Sequence, residues 1–434
     1  MRVAHFIQRY PPALGGSEAY FARLSRYCAA QGDAVTVFTS SALDLEAFWT
    51  CRAACAAPGV EEDDGVTIRR YALWRWPGRR YVLKALSLFP ERHWQCLTLP
   101  CNPICPDMWR DASRGADLDF EVVHASAFPY AWPIACARRL ARRLDIPLLV
   151  TPFLHLGDPS DATDRTRRGY TAPPLRWLLG EADAVFVQTP TEREAALHLG
   201  IAPQRVHLQG LGVEPAECTG GDRSGARQRW GIGADGVVVG HLANQSWEKG
   251  TNDLLQALEP LWRAKAPLHL VLAGPQMPNF QRFWKSFVES ATPEVRARVH
   301  QLGVLSAAEK KDFFAGIDLF ALPSRSDSFG LVLLEAWANR VPNIAYAAGG
   351  VTDVIEHKRD GLLVKCGDIQ ALTQALRDLC GSASDRTRLG RTGQSRLAHE
   401  FCWPDKLELV REVSRGLTEK KDRTDPATRT LPTS

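Results

Sequence analysis

The chain reads as an α/β protein of two doubly wound parallel sheets facing one another across a cleft, and three observations carry that reading. Short apolar runs alternate with segments of helical periodicity along most of its 434 residues. Near the middle, Pro215 to Gly225 is rich in Gly, Glu, Asp and Ser and reads as a linker. The length suits two domains of about 200 residues each better than one core.

Val3 to Ile7 opens the first half as a strand. A Pro- and Gly-rich loop follows, then a helix from about Ser17 to Ala30, with Ser17 placed to cap its start and Gly32 to stop it. Phe21, Leu24 and Cys28 recur at helical spacing and are expected to face the sheet. Val35 to Thr39 completes the first β-α-β half-unit. Further strands are expected at Glu121 to His124, Pro147 to Thr151, Ala184 to Gln188 and Arg205 to Leu208, with a helix from Ala131 to Leu144 among them. Residues 45 to 115 break this rhythm: Trp94, Cys96, Pro100, Pro103 and Pro106 give no clean period, so the stretch reads as a long insertion.

In the second half, strands are expected at Val237 to Leu242, Leu268 to Ala273, Val299 to Leu302, Leu319 to Leu322, Asn343 to Ala347 and Leu362 to Val364. Helices begin near Thr251, Phe280, Ala307, Phe329, Thr352 and Ile369. Trp403 to Arg415 reads as a last helix, and the polar tail 418–434 is expected to be disordered. The expected domains are therefore 1–215 and 216–402, followed by a helix over 403–417 and the tail.

Composition narrows the class. Hydrophobic residues make up 45% and charged residues 24%, as in soluble globular proteins, and a net charge of +4 points to neither a nucleic-acid binder nor an acidic solvating chain. Within 74–89, Arg75, Arg79, Arg80 and Lys84 interleave with Trp74, Trp76, Tyr81, Leu86, Leu88 and Phe89. That pattern reads first as a groove or protein interface, and it also fits a peripheral contact with anionic lipid or a lipid-linked acceptor. No run of about 20 apolar residues is present to span a bilayer, and the first residues resemble a strand rather than a leader. The expected location is cytoplasmic, including the inner face of the membrane. The eleven cysteines form no Cys-x-x-Cys pair, which favours reduced thiols over a zinc site or disulfide framework.

The stretch Pro323-Ser324-Arg325-Ser326-Asp327-Ser328-Phe329-Gly330-Leu331-Val332-Leu333-Leu334-Glu335-Ala336 carries the chemistry. It follows an apolar run, opens as a polar loop and continues into good helix formers. Asp327 then sits just before a helix and Glu335 within it, about 12 Å apart along a helical axis, so both acids reach different parts of one ligand. The free N–H groups of Phe329, Gly330 and Leu331 point at the same space and favour anionic or hydroxyl-rich groups. Together these read as a sugar-nucleotide site.

This acid, seven residues, acid pattern resembles the signature of retaining glycosyltransferases of family 4, which have the two-domain GT-B architecture of Rossmann-like sheets. Gly349-Gly350-Val351-Thr352-Asp353-Val354-Ile355 and Asp360-Gly361-Leu362-Leu363-Val364 follow that family closely. Asp327 stands where the family usually has Glu, and Asn339-Arg340-Val341-Pro342 departs from its small-Gly-x-Pro continuation.

The resemblance implies roles. Lys249, in Trp247-Glu248-Lys249-Gly250-Thr251, is assigned to the donor diphosphate, Glu335 to the ribose hydroxyls, and Asp327, beside Ser328, to the transferred sugar. Gly15-Gly16-Ser17-Glu18 matches the family's glycine loop in the first domain, whose backbone approaches the donor diphosphate or sugar. An Arg usual about five residues before the Lys is replaced by Gly240-His241-Leu242-Ala243-Asn244. Charge compensation then falls to Lys249, backbone N–H groups, Arg325 or His241, a choice the sequence leaves open. His124 corresponds to a family His near the anomeric centre, its ordinary alternative being hydrogen-bonded packing at a strand end; His155 is a second candidate. The transfer is expected to retain configuration with the departing phosphate accepting the proton, so no general base is assigned. No cofactor or metal is expected: Asp-Leu-Asp at 117–119 precedes rather than follows a strand and reads as a loop. The expected donor is a UDP- or GDP-sugar and the acceptor a glycan, lipid-linked or small-molecule hydroxyl. A degenerate protein that binds a sugar nucleotide or a partner without transfer is the alternative.

Overall fold

The computed structural model describes every residue except 117, 158–163, 234 and 425–434. The chain divides into two compact units, one of Met1–Leu154, Arg167–Gln209 and the residues from Pro404 on, the other of His155–Thr166 and Gly210–Trp403.

The first unit is built on β1 (Arg2–Ile7), β2 (Ala34–Ser40), β3 (Gly59–Asp63), β4 (Val66–Tyr71), β5 (Val122–Ala125), β6 (Leu148–Val150), β7 (Ala184–Val187) and β8 (Val206–Leu208). Their order is β3-β4-β2-β1-β5-β6-β7-β8, and every pair is parallel except β3 with β4. The central strands are near-continuous apolar runs because helices cover both faces of such a sheet. Phe21, Leu24 and Cys28 of α1 (Gly16–Ala30) are buried as their spacing predicts, and α2 (Ala131–Leu144) is buried along most of its length.

The stretch 45–115 is more regular than its sequence implies. It contains β3 and β4, joined by a turn with Asp64 at φ 49° and Gly65 at φ 77°, then helices Arg79–Leu86, Arg92–Leu97 and Pro106–Arg114. The missed strand β3 reads Gly-Val-Glu-Glu-Asp and is largely exposed. A charged edge strand shows no buried face, and its charge discourages pairing with another chain. Of the 117–119 triplet, Asp117 lies outside the described residues, while Asp119 sits in a loop and pairs with Arg2 at 3.3 Å.

In the second unit, β9 (Val237–Leu242), β10 (Leu268–Ala273), β11 (Val299–Gly303), β12 (Leu319–Leu322), β13 (Asn343–Tyr346) and β14 (Gly361–Val364) form an all-parallel sheet in the order β11-β10-β9-β12-β13-β14. Strand order reverses between β9 and β12, the place where ligands bind beyond the carboxyl ends of such a sheet. Leu254, Leu255, Leu258 and Leu261 of α3 (Thr251–Arg263) join Val239, Leu270, Leu319 and Ile344 in one core. Two further helices bear on the site, α4 (Ala307–Gly316) and α5 (Leu331–Ala338).

One of the points where the chain passes between units is Gln209–Gly210, and the stretch 215–225 holds the helix Pro215–Cys218 and the start of the helix Arg223–Arg229. The last helix, α6 (Trp403–Thr424), belongs to the first unit from Pro404 on. Arg411 holds Asp33 at 2.6 Å, Tyr27 donates to Glu408 at 2.8 Å, and Gln209 donates to the Lys406 carbonyl at 2.9 Å. Burial alone raises the Asp33 carboxyl, but Arg411 and the Met1 amino group outweigh it and hold it below the usual range. Residues 418–424, expected to be disordered, continue this helix, and Lys421 pairs with Asp145 at 2.7 Å. The remainder of that tail lies outside the described residues.

Candidate functional site

The loops after β9 and β12 meet because Gly250 lets them. It stands at φ 70°, and a Cβ there would lie 1.8 Å from the Pro323 carbonyl oxygen. With the loops in contact, the Arg325 N–H donates to the Glu248 carbonyl at 2.8 Å, and Lys249 Nζ reaches Asp327 Oδ2 at 2.7 Å. These two predicted site residues, 78 positions apart in the chain, thus form one ion pair beside the strand-order reversal. Both side chains are largely buried, 28% exposed for Lys249 and 15% for Asp327.

The loop after β13 fixes the backbone of Asp327. Gly350 N–H donates to the Asp327 carbonyl at 2.9 Å, and Gly349 stands at φ 58° with its missing Cβ 2.2 Å from that oxygen. Gly349 N–H in turn donates to the Gly157 carbonyl at 3.0 Å. The segment containing Gly157 comes from the first half of the sequence yet belongs to the second unit, and it places His155 Nδ1 at 3.4 Å from Ser326 Oγ. Burial, then Lys249, push the His155 imidazole down to about 4, with Asp327 opposing, so the ring is neutral at pH 7.

Gly330, left-handed at φ 84°, caps α5, whose first turn leaves its leading N–H groups without intrahelical partners. Phe329 is buried against Phe401, and Leu331 and Ser328 are half-buried. One turn into α5, Glu335 has two unlike oxygens. Oε1 receives Lys310 Nζ at 2.6 Å, whereas Oε2 is buried with no hydrogen-bond partner. Burial raises this carboxyl, and Lys310 opposes the shift. A ribose hydroxyl is a donor that such an oxygen lacks.

Two candidates for the missing Arg are engaged elsewhere. His241 is fully buried, its Nδ1 at 2.8 Å from the Ala321 carbonyl and its Nε2 at 3.0 Å from Thr251 Oγ1, which also accepts from Ser246 N–H. It ties β9 to the start of α3. Arg325 pairs with Asp253 at 2.7 Å and lies 4.3 Å over the Trp247 ring, and its buried Nη1 has no partner. Lys249 is the cation that stands next to Asp327.

His124 is corrected more firmly. It is 1% exposed, with Nε2 at 2.8 Å from Thr151 Oγ1 and its ring among His5, Phe21 and Phe186. Its register opposite His5 turns it beneath α1, inside the apolar layer, where burial pushes it well below the ordinary imidazole range. A ring there is closed off from solvent.

In the first unit, α1 begins at Gly16 with Gly15 in the capping position, so Ser17 is inside the helix rather than its cap. The space a Gly15 side chain would take is filled by Glu18: a Cβ would lie 2.1 Å from Glu18 Oε2. Glu18 Oε1 receives Arg9 at 2.7 Å and Gln8 at 3.1 Å, a buried pair that holds the glycine loop from below. Nothing stands within 4 Å of a Cβ built on Gly16, which leaves that side of the loop open. Sequence reading missed Arg9 and Lys310; the glutamate of Gly-Gly-Ser-Glu was its only local signal.

Among the described residues no group of three or more His, Cys, Asp or Glu is placed to hold a metal ion, and no helix is long and apolar enough to cross a membrane.

Comparison with known proteins bears on the family and the fold. The family model described as "Glycosyl transferases group 1" matches residues 222–396, and that described as "Glycosyl transferase 4-like domain" matches 15–212. The D-inositol 3-phosphate glycosyltransferase of Jonesia denitrificans is 28% identical over 422 residues, covering 90% of this chain and 88% of its own. The D-inositol 3-phosphate glycosyltransferase 1 of Catenulispora acidiphila is 29% identical over 325 residues, covering 69% and 73%. Among solved structures, Anabaena HepE in complex with UDP and glucose superposes with a TM-score of 0.71 at 18% identity over 96% of this chain and 100% of that one. Sucrose-phosphate synthase from Thermosynechococcus elongatus gives 0.70 at 21% identity, covering 97% and 100%.

Proposed function

This chain belongs to the group 1, family 4 glycosyltransferases of GT-B fold, and from that premise we propose that it moves a sugar, with retention, from a UDP- or GDP-sugar to a glycan, lipid-linked or small-molecule hydroxyl. The observation that carries the reading is the Lys249–Asp327 pair at the reversal point of the second sheet. A diphosphate arriving there takes Lys249 as its counter-charge and releases the Asp327 carboxylate to accept from sugar hydroxyls. The unpartnered Oε2 of Glu335 accepts from the ribose. The open side of the Gly15-Gly16 loop is assigned to the donor by the family pattern.

Charge growing on the leaving diphosphate is stabilised by Lys249 and by the first N–H groups of α5, which are in place before the bond breaks. That phosphate then takes the acceptor's proton on the attacked face, so no side chain is needed as base, and His155 stays neutral beside it. Because Lys249 supplies the counter-charge, transfer proceeds without a bound metal. The test is a panel of UDP-, GDP- and ADP-sugars with product anomers assigned by NMR, with and without EDTA. Retained configuration and an EDTA-insensitive rate are expected. Donor binding without transfer or hydrolysis for every member would instead make the chain a degenerate binder.

The acceptor reading extends to a membrane surface, consistent with work at the cytoplasmic face. In the first unit Tyr81 and Phe89 are each 64% exposed and Leu88 80%, with Val82, Leu86 and Trp94 beside them and Arg80, Lys84 and Arg92 interspersed. Apolar side chains among cations suit a bilayer bearing anionic lipid. The full chain is expected to sediment with phosphatidylglycerol vesicles and not with phosphatidylcholine, and to lose this on Leu88→Asp with Phe89→Asp. Equal retention by the double variant removes the membrane reading.

A further inference from the structure

We propose that Lys310 is a positioning residue for the donor: its ammonium fixes one oxygen of Glu335, so that the other oxygen is presented to the donor ribose. This rests on the ribose reading of Glu335 and adds a residue to it.

Three observations on different elements support the assignment. Lys310, on α4, sits 25 positions before Glu335 and approaches Oε1 at 2.6 Å while its own side chain is 33% exposed. Oε2 of the same carboxylate is buried and has no partner. The backbone carrying Glu335 is also braced, since Asn339 Nδ2 donates to the Glu335 carbonyl at 2.9 Å and to the Cys218 carbonyl at 3.0 Å. A surface ion pair made only for stability leaves both carboxylate oxygens to water; here one is clamped and the other is dry and empty-handed.

The surrounding charges make the clamp necessary. From the Pro215–Cys218 helix, Glu217 disfavours the Glu335 carboxylate, and the Cys218 thiol, pushed up to about 12 by burial and then by Glu335, is neutral and offers no help. Burial also favours the uncharged acid. Of the groups bearing on Glu335 from α4 and the 215–218 helix, Lys310 is the cation. Without it the carboxyl protonates at higher pH, and a protonated acid is a weaker acceptor for two adjacent hydroxyls.

The sign of the pH effect follows. Glu335 accepts from ribose when ionised, so donor affinity is present above its pKa and is lost as pH falls through it. Removing Lys310 moves that loss to higher pH. A residue that only supported the fold would lower stability without shifting the pH at which donor binding fails.

Donor KM and kcat are to be measured from pH 5 to 8 on the full chain, with the donor found active, for the parent, Lys310→Met, Lys310→Arg and Glu335→Ala. Lys310→Met is expected to raise donor KM about tenfold at pH 7 with kcat changed less than about threefold, and to move the acid limb upward. Lys310→Arg is expected to restore most of the KM and the limb. If Lys310→Met folds poorly, Lys310→Gln gives the same comparison. An unchanged KM and limb for Lys310→Met, with Glu335→Ala impaired, overturns the inference alone. An unimpaired Glu335→Ala overturns the ribose reading beneath it.

Discussion

Lys249→Ala lowers kcat/KM on the order of 100-fold, roughly 2.7 kcal/mol of transition-state stabilisation. Most of the loss falls on kcat, because the charge that Lys249 meets is larger on the departing diphosphate than on the bound donor. Glu335→Ala, by contrast, acts on ribose far from the breaking bond, so its loss of at least about tenfold falls mainly on KM. The contrast separates the two roles within one site. A structural explanation for Lys249 is tested by pairing it with Asp327→Asn. Were the 2.7 Å ion pair only a brace, neutralising both partners would remove the stranded carboxylate and recover activity. The double variant is expected to be no better than Lys249→Ala. Recovery to near the parental rate would show that Lys249 does not meet the donor.

Arg396→Met destabilises the second unit by about 3–5 kcal/mol, the range for stranding a buried charge. Asp360 is 0% exposed, and its carboxylate is bound by Arg396 on one oxygen and by the Glu356 N–H at 2.9 Å on the other. The same guanidinium donates to the Val354 carbonyl at 2.9 Å, pairs with Glu400 at 2.8 Å, and lies 5.7 Å from the centres of the Trp337 and Phe401 rings. Trp337 Nε1 closes the circuit by donating to the Asp360 carbonyl at 3.0 Å. Losing the arginine therefore leaves a buried anion and an unpaired carbonyl beneath the helix that carries Glu335. Urea unfolding followed by tryptophan fluorescence reports the loss, and Arg396→Met with Asp360→Asn should recover part of it. A shift below about 1 kcal/mol would mean that Asp360 is neutral in the folded protein.

The donor-side reading rests on features of very different legibility. Lys249, Asp327, Glu335 and the Gly349-Gly350 turn are legible because each lies in a short local pattern that resembles the family's, in the loops beyond the strands or one helical turn after them. His124 misled for the opposite reason: strand alternation allows two faces, and only its pairing with β1, His5 opposite His124, turned it under α1. Lys310 was invisible because nothing near it in sequence marks it; it matters through one contact with a residue on another helix. His155, the weaker histidine, came beside Asp327 because its segment joins the second unit, an event with no local signature.

The sequence by itself determined the two sheets, the central strands with their helices, and the loops that bear the site, because apolar periodicity and glycine positions act over a few residues. Tertiary structure alone decided which charges meet. It paired Lys249 with Asp327 and Lys310 with Glu335, committed Arg325 to Asp253, sent His241 into the core, and drew the charged edge strand β3 into the first sheet. The physical reason is that a hydrogen bond or ion pair is settled over 2.6–2.8 Å between atoms that the chain separates by tens of residues. Such a distance is fixed only once the elements of the second unit have packed.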